Sequence, residues 1–234
     1  MEEFIKNNYI NLTHLVEAIA AVTAIFCYKK YKNTAAKFFV FFLVYVFIID
    51  FIGSYTSYIH GGVFEFLEGS LIEKNYWWFT ICWRILGVLF LAFYYRKLLS
   101  NKFQKKVLKL VSIAFLFASV IYYIFNYEAL FYEESKLFIV ITGTLIILIC
   151  FVFYFVEILQ SERILNFYKS INFYISAVFF IWWLLTTPLI FYDVYYTTAD
   201  WNFIILKWQI FLTANIFMYL MFTFALLWCN PEND

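Results

Sequence analysis

The sequence predicts an all-α, polytopic membrane protein, a bundle of seven transmembrane helices. Three observations predict this fold class. Of the 234 residues, 65% are hydrophobic and only 14% are charged, so lipid has to be the solvent for most of the chain. The apolar residues form seven runs of about 20 residues, long enough for a helix to cross a hydrocarbon layer of about 30 Å. The cations are concentrated in alternate connectors between these runs.

The seven predicted spans follow one another along a single transmembrane domain that covers residues 1–234. Helices are expected because backbone groups in lipid must be satisfied within their own segment, and the alternation of a barrel strand is absent. After Gly61-Gly62, apolar residues interleaved with Glu65, Glu68 and Glu73 predict either a short amphipathic helix at the membrane surface or a loop over the bundle. The predicted spans are 9–28, 38–58, 76–95, 107–126, 137–156, 173–192 and 204–228.

The charge of the connectors predicts the orientation. Lys and Arg are concentrated after spans 1, 3 and 5, and such connectors stay on the cytoplasmic side. The amino terminus is therefore expected outside and the carboxyl terminus inside, in a multi-pass protein of the inner (plasma) membrane. The connectors on the opposite side are acidic and include Glu65, Glu68, Glu133, Glu134, Asp193 and Asp200.

Three charged residues inside consecutive spans form the candidate interior site. Glu17, Asp50 and Arg84 each lie about 12 Å below the predicted outer boundary. A charge at a helix centre costs at least about 2.5 kcal/mol, which predicts that Arg84 pairs with both carboxylates. His14 lies one turn outward of Glu17 on the same face.

Two interpretations of these charges stay open. They form either a structural ion-pair network or a ligand or ion site at the base of an outward-facing polar cavity. Other polar residues at similar depth would line that cavity, namely Thr142, Thr144, Thr186, Thr187, Lys207 and Gln209.

A basic run follows span 3. Topology and contact with anionic lipid account for it, and docking of a cytoplasmic protein is the alternative. Direct nucleic-acid binding is not expected, because the cations are not interleaved as in a recognisable binding module. The run consists of Arg96, Lys97, Lys102, Lys105, Lys106 and Lys109.

Catalytic chemistry has little support in the sequence. His14 and His60 are the only histidines, too few for the usual membrane zinc hydrolases, and the four cysteines are far apart. No nucleophile or phosphate-loop motif is present. We therefore expect no catalytic residue, no metal and no cofactor, and a membrane-embedded enzyme is the second alternative.

In size, number of spans and basic inner loops, the chain resembles the small multi-pass membrane accessory proteins of type VI-B CRISPR loci. The resemblance is one of layout over the whole length and carries over no functional residue. It implies regulation of an RNA-targeting defence effector. The layout is equally similar to that of stand-alone seven-span sensor-type proteins.

The function expected from the sequence is therefore that of a non-catalytic accessory or regulatory membrane protein. It would lie in the lipid bilayer and act through a cytoplasmic protein partner, for example in antiviral defence. The alternative is a ligand-sensing or ion-conducting protein. The sign of any regulation and the formation of an oligomer are left open.

Overall fold

The computed structural model describes residues 2–132, 137–192 and 201–231, and the regular structure of these residues is all helical. The acidic connectors that contain Glu133, Glu134, Asp193 and Asp200 lie outside the described residues. A π-helical segment, Thr80–Ile85, joins α3 to α4, and 3₁₀ segments cover Ser54–Tyr58, Glu65–Leu67 and Glu162–Lys169. The α-helices are α1 (Glu2–Tyr31), α2 (Ala36–Gly53), α3 (Tyr76–Phe79), α4 (Leu86–Leu98), α5 (Lys102–Phe125), α6 (Tyr127–Tyr132), α7 (Leu137–Leu159), α8 (Ile171–Tyr192) and α9 (Trp201–Trp228).

The predicted count of seven spans is confirmed for the described residues, and every predicted span overlaps one helix. Seven helices are long and apolar enough to cross a membrane: Asn8–Tyr31, Ala36–Tyr58, Tyr76–Leu98, Lys102–Phe125, Leu137–Leu159, Ile171–Ile190 and Trp201–Trp228. The largest difference is in span 4, which begins at Lys102 because Asn101 caps the helix there; its side-chain oxygen accepts from the Phe103 N–H at 2.8 Å. Which side faces the cytoplasm stays a prediction.

The connector between spans 2 and 3 is a loop, and the amphipathic helix considered for it is wrong. The one helical piece that the structure describes between residues 59 and 75 is the 3₁₀ turn Glu65–Leu67. Gly61 and Gly69 have φ values of +69° and +74°, and residues in this left-handed conformation end a helix. The Tyr55 hydroxyl donates to the Ile72 carbonyl oxygen at 2.5 Å, which ties the loop to the end of span 2.

The packing contacts divide the chain into two compact units. Unit 1 comprises Met1–Phe47 with Glu162–Asp234, and unit 2 comprises Ile48–Ser161. One boundary therefore falls inside α2, and the other falls between α7 and the 3₁₀ segment that follows it. The single transmembrane domain over 1–234 stays a prediction.

In unit 1, α1 and α9 pack side by side and run in the same direction. Near one end, the rings of Tyr9 and Trp208 lie with their centroids 6.3 Å apart. Near the other, the Tyr31 hydroxyl donates to the Leu226 carbonyl oxygen at 3.0 Å. Two spans can run in the same direction only when an odd number of spans separates them. The five spans predicted between α1 and α9 satisfy this condition.

Small and aromatic side chains fill the core of unit 1. Ala20 and Ala24 on α1 are fully buried, and small residues let helix backbones approach closely. The Phe222 ring lies 4.9 Å from the rings of both Phe39 and Phe179, measured between centroids. In hydrocarbon no hydrophobic force draws helices together, so close packing of this kind has to hold α1, α2, α8 and α9.

The ends of α1 and α9 are joined by hydrogen bonds. The Tyr31 side chain is fully buried, and its hydroxyl lies 3.0 Å from the Leu226 oxygen and 2.9 Å from the Cys229 oxygen. Lys30 Nζ donates to the carbonyl oxygens of Leu226 and Leu227 at 3.1 and 3.0 Å. The last carbonyls of a helix have no partner within it, and a cation there also offsets the negative end of the helix dipole.

In unit 2, α4, α5 and α7 pack together. A Cβ added at Gly143 on α7 would lie 3.1 Å from Val88 Cγ2 on α4, so the glycine permits a close approach of these helices. The Tyr95 ring packs against Phe151 and Tyr154 on α7, with centroids 5.7 and 5.6 Å away. On α5 the side turned to the core is a stripe at helical spacing, namely Leu108, Ser112, Phe115 and Ser119.

We expect Tyr31→Phe to lower the free energy of unfolding by about 1–2 kcal/mol, because the Cys229 carbonyl oxygen loses the Tyr31 hydroxyl and the Leu226 carbonyl oxygen keeps only Lys30 as a side-chain donor. Thermal unfolding of the purified protein in detergent measures the effect. Tyr28→Phe, at an exposed position three residues earlier, is the matched control and should change stability little. Equal melting temperatures for the two variants would contradict a role of Tyr31 in joining the helices.

Candidate functional site

Arg84 lies in the π-helical segment Thr80–Ile85, inside the third span. At its end the Leu86 N–H donates to the carbonyl oxygen of Ile81, five residues earlier. A π turn fits one more residue into the helix than an α turn and recurs at functional sites. The sequence predicted a regular helix here, so this irregular turn is a feature that sequence reasoning missed. The π turn supports Arg84, whose side chain is partly buried, as a residue of the candidate site.

Asp50 lies near the end of α2, in the same unit as the π segment. Trp78 Nε1 donates to the Ile49 carbonyl oxygen at 2.9 Å, and Asn75 Nδ2 donates to the Gly53 carbonyl oxygen at 2.7 Å. The later residue of α2 is thus bonded to the earlier residue of the third span. The end of α2 runs antiparallel to the beginning of that span.

The helix directions tilt the Cα–Cβ bonds of Asp50 and Arg84 each toward the depth of the other residue. The Cα–Cβ bond of a helical residue tilts toward the amino end of its own helix. Because the two segments are antiparallel, the Asp50 side chain starts out along the membrane normal toward the level of Arg84. The Arg84 side chain starts out toward the level of Asp50. Neither residue is without an interaction partner. We take these two residues as the centre of the candidate site, and their direct pairing stays a prediction.

Glu17 lies in unit 1 on α1 and is only 3% exposed. Measured along the helices from the Tyr9–Trp208 ring pair, Glu17 lies about 12 Å further and Asn215 on α9 about 10 Å further. The two residues therefore lie at nearly the same depth. Asn215 Oδ1 accepts from Trp182 Nε1 on α8 at 2.7 Å. Unit 1 thus has a polar layer at this depth, and Asn215 and Trp182 are the members of it that the sequence analysis did not name.

His14 is partly buried, three residues before Glu17 on the same face of α1. His14 and Glu17 both have interaction partners, as Asp50 and Arg84 do. The first two residues belong to unit 1 and the last two to unit 2. A single network of all four residues, which the matched depths predict, stays a prediction.

Two hydroxyl groups that were expected to line a polar cavity bond to their own helices. Thr142 Oγ1 donates to the Phe138 carbonyl oxygen at 2.7 Å, and Thr186 Oγ1 donates to the Trp182 carbonyl oxygen at 2.9 Å. Such bonds to the preceding turn satisfy a hydroxyl within its own segment. An outward-facing cavity stays a prediction, and its support comes from the charged residues rather than from these threonines.

The basic run lies mostly on the first turns of α5. Lys102, Lys106 and Lys109 are exposed and, at spacings of four and three residues, share one helix face. We call these three residues the lysine row. They lie about 120° around α5 from the buried stripe that contains Leu108. Of the remaining predicted residues, Lys97 is exposed, and Arg96 and Lys105 are partly buried.

Glu157, near the end of α7, fixes the start of α5 and was missed from the sequence. Its two carboxylate oxygens each accept from the Ser100 N–H at 2.9 Å, and Oε2 also accepts from the Asn101 N–H at 3.4 Å. A carboxylate is favourable there because the amino end of a helix carries partial positive charge. The sequence shows only that Glu157 is an acidic residue at the predicted cytoplasmic end of span 5, on the same side of the membrane as the basic connectors.

Within the part of the chain that the structure describes, no group of three or more His, Cys, Asp or Glu residues is placed to hold a metal ion. Comparisons with protein-family models, with curated proteins and with solved structures give no match. The function therefore has to be argued from the sites themselves.

We expect Arg84→Ala to destabilise the protein by about 3 kcal/mol or more, because it leaves a carboxylate in the membrane without its cation. Lys74→Ala is the matched control. Lys74 is exposed and its Nζ lies 5.5 Å from the centre of the Tyr76 ring, so its loss should cost less than about 1 kcal/mol. Accumulation in membranes and thermal unfolding in detergent measure both effects.

Asp50→Asn in the Arg84→Ala background should restore part of the lost stability, because it removes the carboxylate left unpaired. Equal accumulation of the Arg84→Ala and Lys74→Ala variants would contradict the pairing.

Proposed function

We propose that this protein is a non-catalytic, multi-pass membrane protein that regulates, or is accessory to, a cytoplasmic protein partner. The observation that supports this best is the lysine row. Its ammonium groups lie on one exposed face at the start of a span, at the end that the charge distribution predicts to be cytoplasmic. Phe103, on the same first turn, is 71% exposed. A partner could bury this ring while its acidic residues meet the lysines.

The fixed geometry at the start of α5 supports docking beyond attraction by charge alone. Glu157 accepts from N–H groups just before α5, and the Asn101 side chain accepts from the Phe103 N–H in the first turn, so the start of the helix is held at two points. Fixing the orientation of a membrane protein requires only the number of cations near a span. The lysine row in addition attaches its side chains at set spacings along the helix, about 6 Å for a step of four residues, and this spacing can favour a partner with matching acidic residues.

An RNA-targeting defence effector is the class of partner that the layout resemblance implies. Such an effector would meet the lysine row through an acidic surface of its own at the inner (plasma) membrane. Direct nucleic-acid binding is not part of the proposal. Surfaces that bind single strands combine cations with several stacking aromatic rings, and the run 96–109 contains one aromatic residue, Phe103.

The test is co-purification from native membranes with a carboxyl-terminal tag, read by mass spectrometry. We expect one soluble protein in near-stoichiometric amount, and its loss by roughly tenfold or more when Lys102, Lys106 and Lys109 are changed to Gln. A variant with Lys29 and Lys32 changed to Gln is the matched control, since both are exposed lysines next to another span. Purification of the wild-type chain alone, or equal loss in both variants, would contradict the proposal.

A second candidate function is the sensing of a ligand or the conduction of an ion. The observation that favours it is the π turn at Arg84, together with the antiparallel approach of Asp50. A π turn leaves helix carbonyls without their regular partners, and a charged residue in such a turn can bind a group that enters the membrane. The polar layer of Glu17, Asn215 and Trp182 provides a second polar region for this function.

Proteoliposomes test the second candidate, with fluxes of potassium, sodium, chloride and protons measured by ion-sensitive dyes. If the interior charges form the site, Asp50→Asn and Arg84→Gln should each lower the flux by roughly tenfold or more. Lys74→Gln should leave it unchanged. Absence of flux for all four ions would contradict conduction, and a defined soluble partner in the co-purification would then favour the regulatory function.

A further inference from the structure

Two polar side-chain atoms beside the junction of α4 and α5 are buried and have no hydrogen-bond partner among the described residues: Arg96 Nε and Gln104 Oε1. Arg96 lies two residues before the end of α4, and Gln104 lies two residues after the start of α5. Residues equally far from a tight turn between antiparallel helices lie at about the same depth. A donor and an acceptor are thus left unsatisfied at one level of unit 2, and a buried polar group without a partner is unfavourable unless something binds it.

The length of α5 places this level among the lipid headgroups. The helix has 24 residues and is therefore about 36 Å long, which exceeds the hydrocarbon thickness of about 30 Å. Its other end, near Phe125, is apolar and exposed, so the excess length lies at the lysine end. Gln104 is one turn from Leu108, at the top of the buried stripe of α5, and so faces the other helices.

The chemistry of the two atoms selects the ligand. Arg96 Nε is a charged donor and needs an acceptor such as a phosphate oxygen. Gln104 Oε1 is an acceptor and needs a hydroxyl or ammonium group. An ammonium group would meet the positive field of Lys97, Lys105 and the lysine row, whereas a hydroxyl group would not be repelled. The backbone N–H groups of Ser100 and Asn101 already bond to Glu157, so side chains would provide the site.

We propose that Arg96 and Gln104 bind the headgroup of an anionic phospholipid that carries a hydroxyl group, of the phosphatidylglycerol class. Arg96 holds the phosphate, Gln104 accepts from the hydroxyl, and the partly buried Lys105 adds positive charge beside them. The lysine row lies on another face of α5 and stays available to a protein partner. The lipid site therefore goes beyond the proposed function, and either proposal can fail without the other.

The test is lipid binding to the purified full chain in detergent, measured by native mass spectrometry with phosphatidylglycerol, phosphatidylethanolamine and phosphatidylcholine. We expect phosphatidylglycerol to bind roughly tenfold more tightly than either zwitterionic lipid. Arg96→Met and Gln104→Leu should each remove most of this preference. Lys97→Gln is the matched control, because it removes an exposed cation next to Arg96, and it should keep the preference within about twofold.

Several outcomes would overturn the proposal. Equal binding of all three lipids to the wild-type chain would do so without any variant. The same would follow if Lys97→Gln removed as much of the preference as Arg96→Met, since the effect would then be one of net charge. Stronger binding of phosphatidylethanolamine would assign the Gln104 acceptor to an ammonium group. Displacement by soluble glycerol phosphate at equal concentration would show that the ligand is a free phosphate ester rather than a lipid.

Discussion

In a hydrocarbon solvent a buried polar group is costly unless it finds a partner, and the main contacts of this protein follow from that constraint. The backbone meets it by forming helices. Thr142 and Thr186 meet it inside their own helices, so they do not determine which helices are neighbours. Tyr31, Trp78 and Trp182 instead bond to atoms of another helix. In a core of similar aliphatic and aromatic side chains, these few directional bonds fix the register of the helices.

Charged groups at the helix ends are paired according to the helix dipole. Lys30 lies at the carboxyl end of α9 and binds its last carbonyls, while Glu157 lies at the amino end of α5 and binds the N–H groups before it. Both charges lie near the predicted membrane boundary, where the free-energy cost of desolvating a charge is small. The charges inside the spans, Glu17, Asp50 and Arg84, have no such explanation. Their cost has to be offset by mutual pairing or by function, and both interpretations require them to lie close to other polar groups.

The helices could be predicted from the sequence because each apolar run of about 20 residues is long enough to cross the membrane and must satisfy its backbone hydrogen bonds within itself. The bonds between helices could not. The residues that join α1 to α9 are nearly 200 positions apart, and Asn215 and Glu157 are single polar residues without a local pattern. The π turn was missed because its sequence, Thr80–Ile85, is as apolar around Arg84 as a regular turn would be. The start of α5 was missed because lysines were assigned to a connector, although their aliphatic stems fit a helix at the membrane surface.

One span, Tyr76–Leu98, contains both Arg84 of the candidate site and Arg96 at the basic end of unit 2. Arg84 and Arg96 lie on the same span, about 18 Å apart along its axis. Converting the π turn into an α turn would rotate α4 by about 100° against α3. The close approach of Gly143 to Val88 and the packing of Tyr95 on α7 oppose so large a rotation.

A π turn can instead move along a helix residue by residue, so that each step changes only one turn while the packed part of α4 stays in place. A ligand that binds one position of the turn better than another would supply the energy for such a step. A response of this span to binding at Arg84 would therefore take the form of a moving π turn, with the packing of α4 on α7 kept, rather than a rotation of α4.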